Sequence, residues 1–195
     1  KEQIKRHYHR DAAVIRPPVD VKRFRPKSKA NRHGFLIAGR QTYYKRFDLA
    51  IAACTVLDVP LKVIGNGPDH QRLVKMAGPR VVFLPNVADD EMPWHFQQAK
   101  GFIFPGIDDF GIVAVEAMAA GTPVIAFRGG GALDYVIEGK TGMFFDRQDP
   151  ESLADALKKF TKIKFNETAI QRHASTFKPE AFTKNLKEFI EKLNL

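Results

Sequence analysis

The chain has one cysteine and one tryptophan in 195 residues, and its apolar residues come only in short runs. A single cysteine excludes an internal disulfide, so a stapled extracellular scaffold is ruled out and a reducing, cytoplasmic setting is expected. Cys54 falls within an apolar helical pattern and reads as core filler. No stretch approaches the roughly 20 apolar residues that cross a bilayer. There is no internal repeat, no low-complexity tract, and no alternating Asp-x-Asp of the kind that bridges a metal to a diphosphate. The six histidines show no paired metal-ligand spacing beyond His7-x-His9, which sits in a basic, solvated stretch. No initiator Met or apolar signal region precedes Lys1-Glu2-Gln3-Ile4, so the chain is expected to be a piece of a longer protein.

Acidic residues are scarce at the start. Residues 1–46 hold 14 Lys and Arg against 3 Asp and Glu, while residues 47–195 hold 17 against 19, so the net charge of +9 belongs to the first quarter. Such a stretch serves an anionic membrane surface or a phosphate-bearing ligand, or is simply a solvated face. No nucleic-acid module or aromatic stacking motif accompanies it, and a nucleic-acid partner is not expected.

What is present is a regular alternation. Residues 1–10 suit one or two helical turns, and Ala12–Ile15 a short strand ended by Pro17-Pro18. Residues 20–33 are polar and proline-punctuated, like a linker or surface loop. Apolar runs at Gly34–Gly39, Leu61–Ile64, Arg80–Leu84, Gly101–Phe104, Pro123–Phe127 and Gly142–Phe145 then alternate with helical patterns at Arg46–Leu57, Asp69–Ala77, Asp89–Ala99, Gly111–Ala120 and 131–137. Asp69 is placed to cap its helix, and the acids from Asp89 suit the positive end of theirs. Helices at 150–160, 166–175 and 179–193 complete the chain. Continuous apolar strands indicate an α/β, Rossmann-like parallel sheet of about six strands with helices on both faces. Expected boundaries are a lead-in segment and linker over 1–33, a ligand-binding domain over 34–176 and a C-terminal helix over 177–195.

Ligands bind such sheets beyond the carboxyl ends of the strands, so the loops there carry the candidate site. In the first, Gly39 allows a tight turn, and Arg40 and Lys45 follow. They could neutralise a diphosphate, or could be exposed surface cations. In the fourth, Asp108-Asp109-Phe110-Gly111-Ile112 opens a helix. Its free first-turn N–H groups suit phosphate, its carboxylates suit the hydroxyls of a sugar or ribose, and Gly111 is expected to let a ligand approach the backbone. Glu116 is the lone acid on an otherwise apolar helix from Ile112 to Ala120, either partnered by ribose hydroxyls or lying on a solvent stripe. Gly129-Gly130-Gly131 fits a phosphate-approach loop or a flexible turn, and Gly65-Asn66-Gly67-Pro68 a turn.

At these residues a resemblance appears. Asp108-Asp109-Phe110-Gly111-Ile112 with Glu116-Ala117-Met118-Ala119-Ala120-Gly121-Thr122-Pro123-Val124 resembles the signature of glycosyltransferase family four, the large retaining group with the GT-B fold. Gly39-Arg40 with Lys45-Arg46, Ile64 to Pro68, Gly139-x-Thr141-Gly142 and Val14 to Asp20 extend the likeness along nearly the whole chain. The pattern is most similar to WbaZ-like mannosyltransferases.

The resemblance implies the C-terminal, donor-binding half of such an enzyme, with the acceptor domain absent from this chain. Arg40 and Lys45 would bind the donor diphosphate and support its departure, with Gly39 at the turn and no metal needed. Asp108 would hold sugar hydroxyls, assisted by Asp109 and by backbone N–H groups around Phe110, Gly111 and Ile112. Glu116 would hold the ribose, and the backbone near Val87 would meet the base. The implied reaction moves a hexose, mannose from GDP-mannose being favoured over a UDP-linked sugar, to a glycan or lipid-linked acceptor. The implied location is cytoplasmic and peripheral at the inner membrane face. Asp108 stands where Glu is usual, and Pro85-Asn86 replaces a common Gly near the base. The alternatives are a binding module that has lost catalysis and a GT-B epimerase.

Overall fold

A strand covered on both faces must be apolar at nearly every position, and the short apolar runs of this chain are such strands. The computed structural model describes residues 2–26 and 31–193. Among these, six strands form one sheet: β1 (Phe35–Ala38), β2 (Leu61–Ile64), β3 (Val81–Leu84), β4 (Gly101–Phe104), β5 (Val124–Phe127) and β6 (Gly142–Phe145). All pairings are parallel, in the order β3-β2-β1-β4-β5-β6. The chain therefore winds outward one way from β1 and the other way from β4. The crevice between their carboxyl ends is the topological switch point where ligands bind.

Alternate strand residues enter two separate cores. Leu36, Ala38, Phe102 and Phe104 face one, and Phe35, Ile37 and Ile103 face the other. Helices α2 (Phe47–Val56), α3 (His70–Met76) and α7 (Pro150–Phe160) close the second core. Helices α4 (Met92–Gln98), α5 (Ile112–Ala119), α6 (Ala132–Tyr135) and α8 (Glu167–Ala174) close the first. The remaining helices are α1 (Glu2–Tyr8) and α9 (Pro179–Lys192). The Rossmann-like α/β expectation holds. Cys54 is fully buried, and burial pushes its thiol up to about 12. Among the described residues no helix is long and apolar enough to cross a membrane.

Caps explain why two helices begin where they do. Asp149 accepts from Ser152 N at 2.7 Å ahead of Pro150, and Asn166 accepts from Ala169 N at 3.0 Å. Asp69 does not cap. Its carboxylate chelates Arg72 at 2.6 Å instead, because the backbone at 69 is already helical. Helix α4 begins at Met92, after the acids expected inside it, and Glu91 turns back to accept from Ala88 N at 3.2 Å.

The lead-in segment departs from expectation. Residues 12–15 pair with no strand, since the chain beyond them is tied to the α8–α9 junction by Val19 N donating to Phe177 O at 2.8 Å. Of the expected linker at 20–33, residues 27–30 lie outside the described residues, as do 1, 194 and 195. The described part is no free linker. Val19, Val21 and Phe24 are buried in the first core, Phe24 edge-on to Phe96. Arg32 stands only 12% exposed. It donates to Ala99 O at 3.0 Å, Ala120 O at 2.9 Å and Thr122 Oγ1 at 2.6 Å, and pairs with Glu167 at 2.9 Å. Several basic residues of the first quarter are bound to acids elsewhere: Arg16 to Asp134, Lys22 to Glu180 and Arg23 to Asp89.

Candidate functional site

The loop after β1 is held by contacts its sequence does not advertise. Gly39 has φ +140° and donates to Ile64 O at 3.1 Å. Gln41 is fully buried, and its amide donates to Gly65 O at 2.6 Å while its carbonyl accepts from His70 Nδ1 at 2.8 Å. A side chain at Gly65 would stand 2.3 Å from Gly39 O, and one at Gly67 2.4 Å from Gln41 O. The turn at 65–68 is thus packed directly on the first loop. Arg46 adopts φ +53° and locks to Asp48 at 3.2 Å.

That geometry turns Lys45 inward. The loop after β4 comes so near that a side chain at Gly106 would stand 2.8 Å from Lys45 Cα. Lys45 Nζ meets Asp108 Oδ2 at 3.1 Å, with the two side chains 21% and 17% exposed. The other oxygen, Asp108 Oδ1, has no hydrogen-bond partner among the described residues.

Gly111 precedes helix α5 as its N-cap, with a φ of +86° that only glycine holds without strain. A side chain there would strike the Phe104 ring at 2.5 Å and the Tyr135 hydroxyl at 2.8 Å. Packing beneath the loop requires the glycine, and its backbone also lines the larger of two cavities at this edge. Packing requires Gly130 and Gly131 as well. Gly131 N donates to Asp108 O at 2.9 Å, and a side chain at 131 would stand 2.3 Å from Phe110 Cα. The glycine run lets two backbones pack closely, so it is not merely a flexible turn. The Phe110 ring is buried between Tyr135 and Phe177, each with its centroid 5.6 Å away.

Two cavities open on this edge. The larger, about 660 Å³, takes in Gly39, Lys45, Asp108, Asp109 and the start of α5 from Phe110 to Val113. The smaller, about 310 Å³, is lined among others by Arg23, Gly39, Val87, Asp89, Val113 and Glu116. Gly39 and Val113 belong to both, so the two form one trough across the switch point. Every expected site residue but one lines it. Arg40 is exposed and lines neither cavity.

Glu116 faces the smaller cavity rather than a solvent stripe. Burial raises its carboxyl above the usual range. Arg23 pulls the other way, and Asp89 and Asp20 push it up further. Arg23 itself donates to Asp89 O, so it is engaged beside Glu116 rather than by it. Among the described residues no group of three or more His, Cys, Asp or Glu is placed to hold a metal ion. His7 and His9 are exposed.

The trough thus holds four acids, Asp89, Asp108, Asp109 and Glu116, and two cations, Lys45 and Arg23, with the N-terminal end of α5 between its halves. The first-turn N–H groups of a helix have no intrahelical acceptor and favour anions. Such a surface suits a ligand with an anionic middle and hydroxyl-bearing ends. Sequence reasoning missed Gln41, Arg23 and Tyr135. Gln41 carried a signal, as the uncharged polar residue between two loop cations; the other two carried none.

Known proteins share this sequence pattern and this fold. The sequence profile of the family described as Glycosyl transferases group 1 matches residues 19–177. The chain is 32% identical to a GDP-mannose-dependent alpha-(1-6)-phosphatidylinositol monomannoside mannosyltransferase of Mycolicibacterium smegmatis, over 72% of this chain and 44% of that one. It is 31% identical to a D-inositol 3-phosphate glycosyltransferase of Streptomyces avermitilis, over 82% of this chain and 42% of that one. In both cases the chain spans less than half the length of the relative. The fold is similar to that of sucrose-phosphate synthase from Thermosynechococcus elongatus, with a TM-score of 0.81 at 23% identity, covering 98% of this chain and 56% of that structure.

Proposed function

The chain belongs to the group 1 glycosyl transferases, and on that premise we propose that it is the donor-binding part of a retaining glycosyltransferase that transfers mannose from GDP-mannose. The observation that carries this reading is the single trough, with Lys45 and Asp108 in one half, Glu116 in the other and the start of α5 between. The diphosphate lies at the junction, against Lys45 and the α5 N-terminus. As the bond from the anomeric carbon to phosphate oxygen breaks, negative charge grows on the departing GDP and Lys45 meets it, so no metal is required for that step. Arg40, one residue beyond the shared Gly39, swings in to add a second cation. Asp108 and Asp109 take sugar hydroxyls, Glu116 takes the ribose, and the backbone at Val87 meets the base.

The relative named for GDP-mannose supports that donor over a UDP-linked one. The same name supports a lipid-linked acceptor, and with it a location at the cytoplasmic face of a membrane. The acceptor would be held by a further domain. Donor choice is tested by thermal shift. At a hundred times its Kd, a nucleotide stabilises by about 2.7 kcal/mol, which raises the melting temperature by about 5–10 °C in a chain of this size. GDP is expected to do so at concentrations where UDP and ADP do not. Equal shifts from all three would sink the GDP assignment, and no shift from any would sink the donor-site reading.

A further inference from the structure

Tyr135 has no place in the roles just given. It is fully buried, and its ring packs on Phe110. Its backbone carbonyl is fixed by His173 Nε2 at 3.0 Å and Thr141 Oγ1 at 3.2 Å, so the ring's position is set by the framework. Yet its hydroxyl has no hydrogen-bond partner among the described residues. That hydroxyl lies directly under the start of α5, 2.8 Å from where a side chain at Gly111 would begin.

A buried hydroxyl without a partner is costly, and native proteins keep few of them. Here a second unpartnered atom, Asp108 Oδ1, lies three residues from Gly111 on the same loop. The two are electrically in reach of one another. Burial, and after it the negative charge of Asp108, hold the phenol well above its usual range, so it remains a proton donor. In the free chain Lys45 engages Asp108 through Oδ2. A donor diphosphate competes for Lys45, and when it wins, Asp108 loses that cation while still largely buried. A buried carboxylate then needs donors.

Resting on the donor-site reading above, we propose that Tyr135 is a positioning residue for Asp108: its hydroxyl donates to Asp108 Oδ1, directly or through one water, once Lys45 moves to the diphosphate. This leaves the other oxygen aimed at the sugar. The free chain therefore holds its sugar-binding carboxylate closed against Lys45, and the nucleotide's own phosphates release it. Tyr135 does not touch the donor, and it acts on affinity only through Asp108, from the moment the diphosphate takes Lys45.

The test is Tyr135→Phe in the full chain, which keeps the ring and its packing. Calorimetry with GDP and GDP-mannose, and with UDP and UDP-glucose alongside, separates the nucleotide's contribution from the sugar's. Affinity for the nucleoside diphosphate is expected to fall about tenfold, because that complex too leaves Asp108 without Lys45, and this is the effect of losing one hydrogen bond to a charged group. The extra affinity of the sugar form is expected to fall a further few-fold, because Asp108 loses the donor that aims its free oxygen at the sugar. In an Asp108→Ala background, Tyr135→Phe should change neither, because the group it acts through is gone.

The unliganded Tyr135→Phe chain should melt about 2 °C higher, since the buried hydroxyl lacks a partner there. Losses that persist in the Asp108→Ala background, or a lowered melting temperature, would make Tyr135 a packing residue and overturn the proposal. So would an unchanged sugar contribution, and that outcome would leave the donor-site reading intact. A parent chain that binds none of the four ligands would overturn both.

Discussion

At the amino-terminal ends of β1, β4 and β5, Arg32 gives its guanidinium hydrogens to Ala99 O, Ala120 O, Thr122 Oγ1 and Glu167. At the carboxyl ends of the same sheet, Asp108 Oδ1 and the Tyr135 hydroxyl have no partner among the described residues, and Glu116 is held partly buried with no cation paired to it among them. Among the described residues only one other buried side-chain atom, His95 Nδ1, lacks a partner. One edge of the sheet is finished and the other is left incomplete. Buried polar groups are normally satisfied, so an edge that gathers unsatisfied ones is shaped for something it does not yet hold. Stability and binding are therefore built at opposite ends, and substitutions at each should separate the two.

The largest effect is expected at the finished end. Arg32→Met fills similar volume but leaves the carbonyls of Ala99 and Ala120 without their donor. Stranded buried acceptors of this kind cost about 1–3 kcal/mol each. The Glu167 pair adds little, because that carboxylate is 53% exposed. A loss of about 3 kcal/mol lowers the melting temperature by about 6–12 °C. Nucleotide affinity, measured below the new melting point, should be unchanged. If it falls as well, the two ends of the sheet are coupled and the comparison fails.

The next effect is at the incomplete end and has the reverse signature. Lys45→Ala removes the inward cation, and GDP affinity should fall about a hundredfold, equivalent to about 2.7 kcal/mol. The melting temperature should move less, because the Tyr135 hydroxyl is free to take Asp108 Oδ1 once Lys45 is gone, although the Lys45–Asp108 pair is largely buried. Asp108→Ala sharpens the point, because it frees Lys45 from its competitor. GDP should then bind a few-fold more tightly while GDP-mannose loses its advantage over GDP. Weaker GDP binding to Asp108→Ala would show that Asp108 orders the loop rather than competing for Lys45.

How much of this could be read from the sequence depends on how local each signal was. The strands were legible because a four-residue apolar run such as Phe35–Ala38 has few other ways to satisfy itself. Most helix limits were legible because glycines, prolines and capping residues mark them within a residue or two. Gly39, Asp108, Gly111 and Glu116 stood out because each breaks the pattern around it. The pairing of Lys45 with Asp108 joins residues 63 apart and has no local trace. Arg32 looked like one more surface cation, since its acceptors are backbone carbonyls that carry no residue signature. Val19, Val21 and Phe24 are buried without helical or strand spacing, so a core segment read as a linker. The packing reason for Gly111 was not legible, because the Phe104 and Tyr135 side chains beneath it come from distant strand and helix positions.

The smallest expected effect tests whether Glu116 belongs with the unsatisfied groups at all. Its carboxyl is raised chiefly by burial, so the folded chain holds that proton more tightly than the unfolded chain does. A group raised in the folded state favours folding while it is protonated, and that advantage is lost as pH rises through its folded value. Glu116→Gln removes the titration and keeps the shape. The variant should melt above the parent at pH 7, and the gap should close as pH falls into the ordinary carboxylate range. Its affinity for GDP should drop about tenfold through loss of the ribose contact. A gap that instead opens on the acid side would mean that Arg23 satisfies Glu116 in the free chain. The smaller cavity would then be a finished structural pocket like the one around Arg32, and only Lys45 and Asp108 would remain to mark the donor edge.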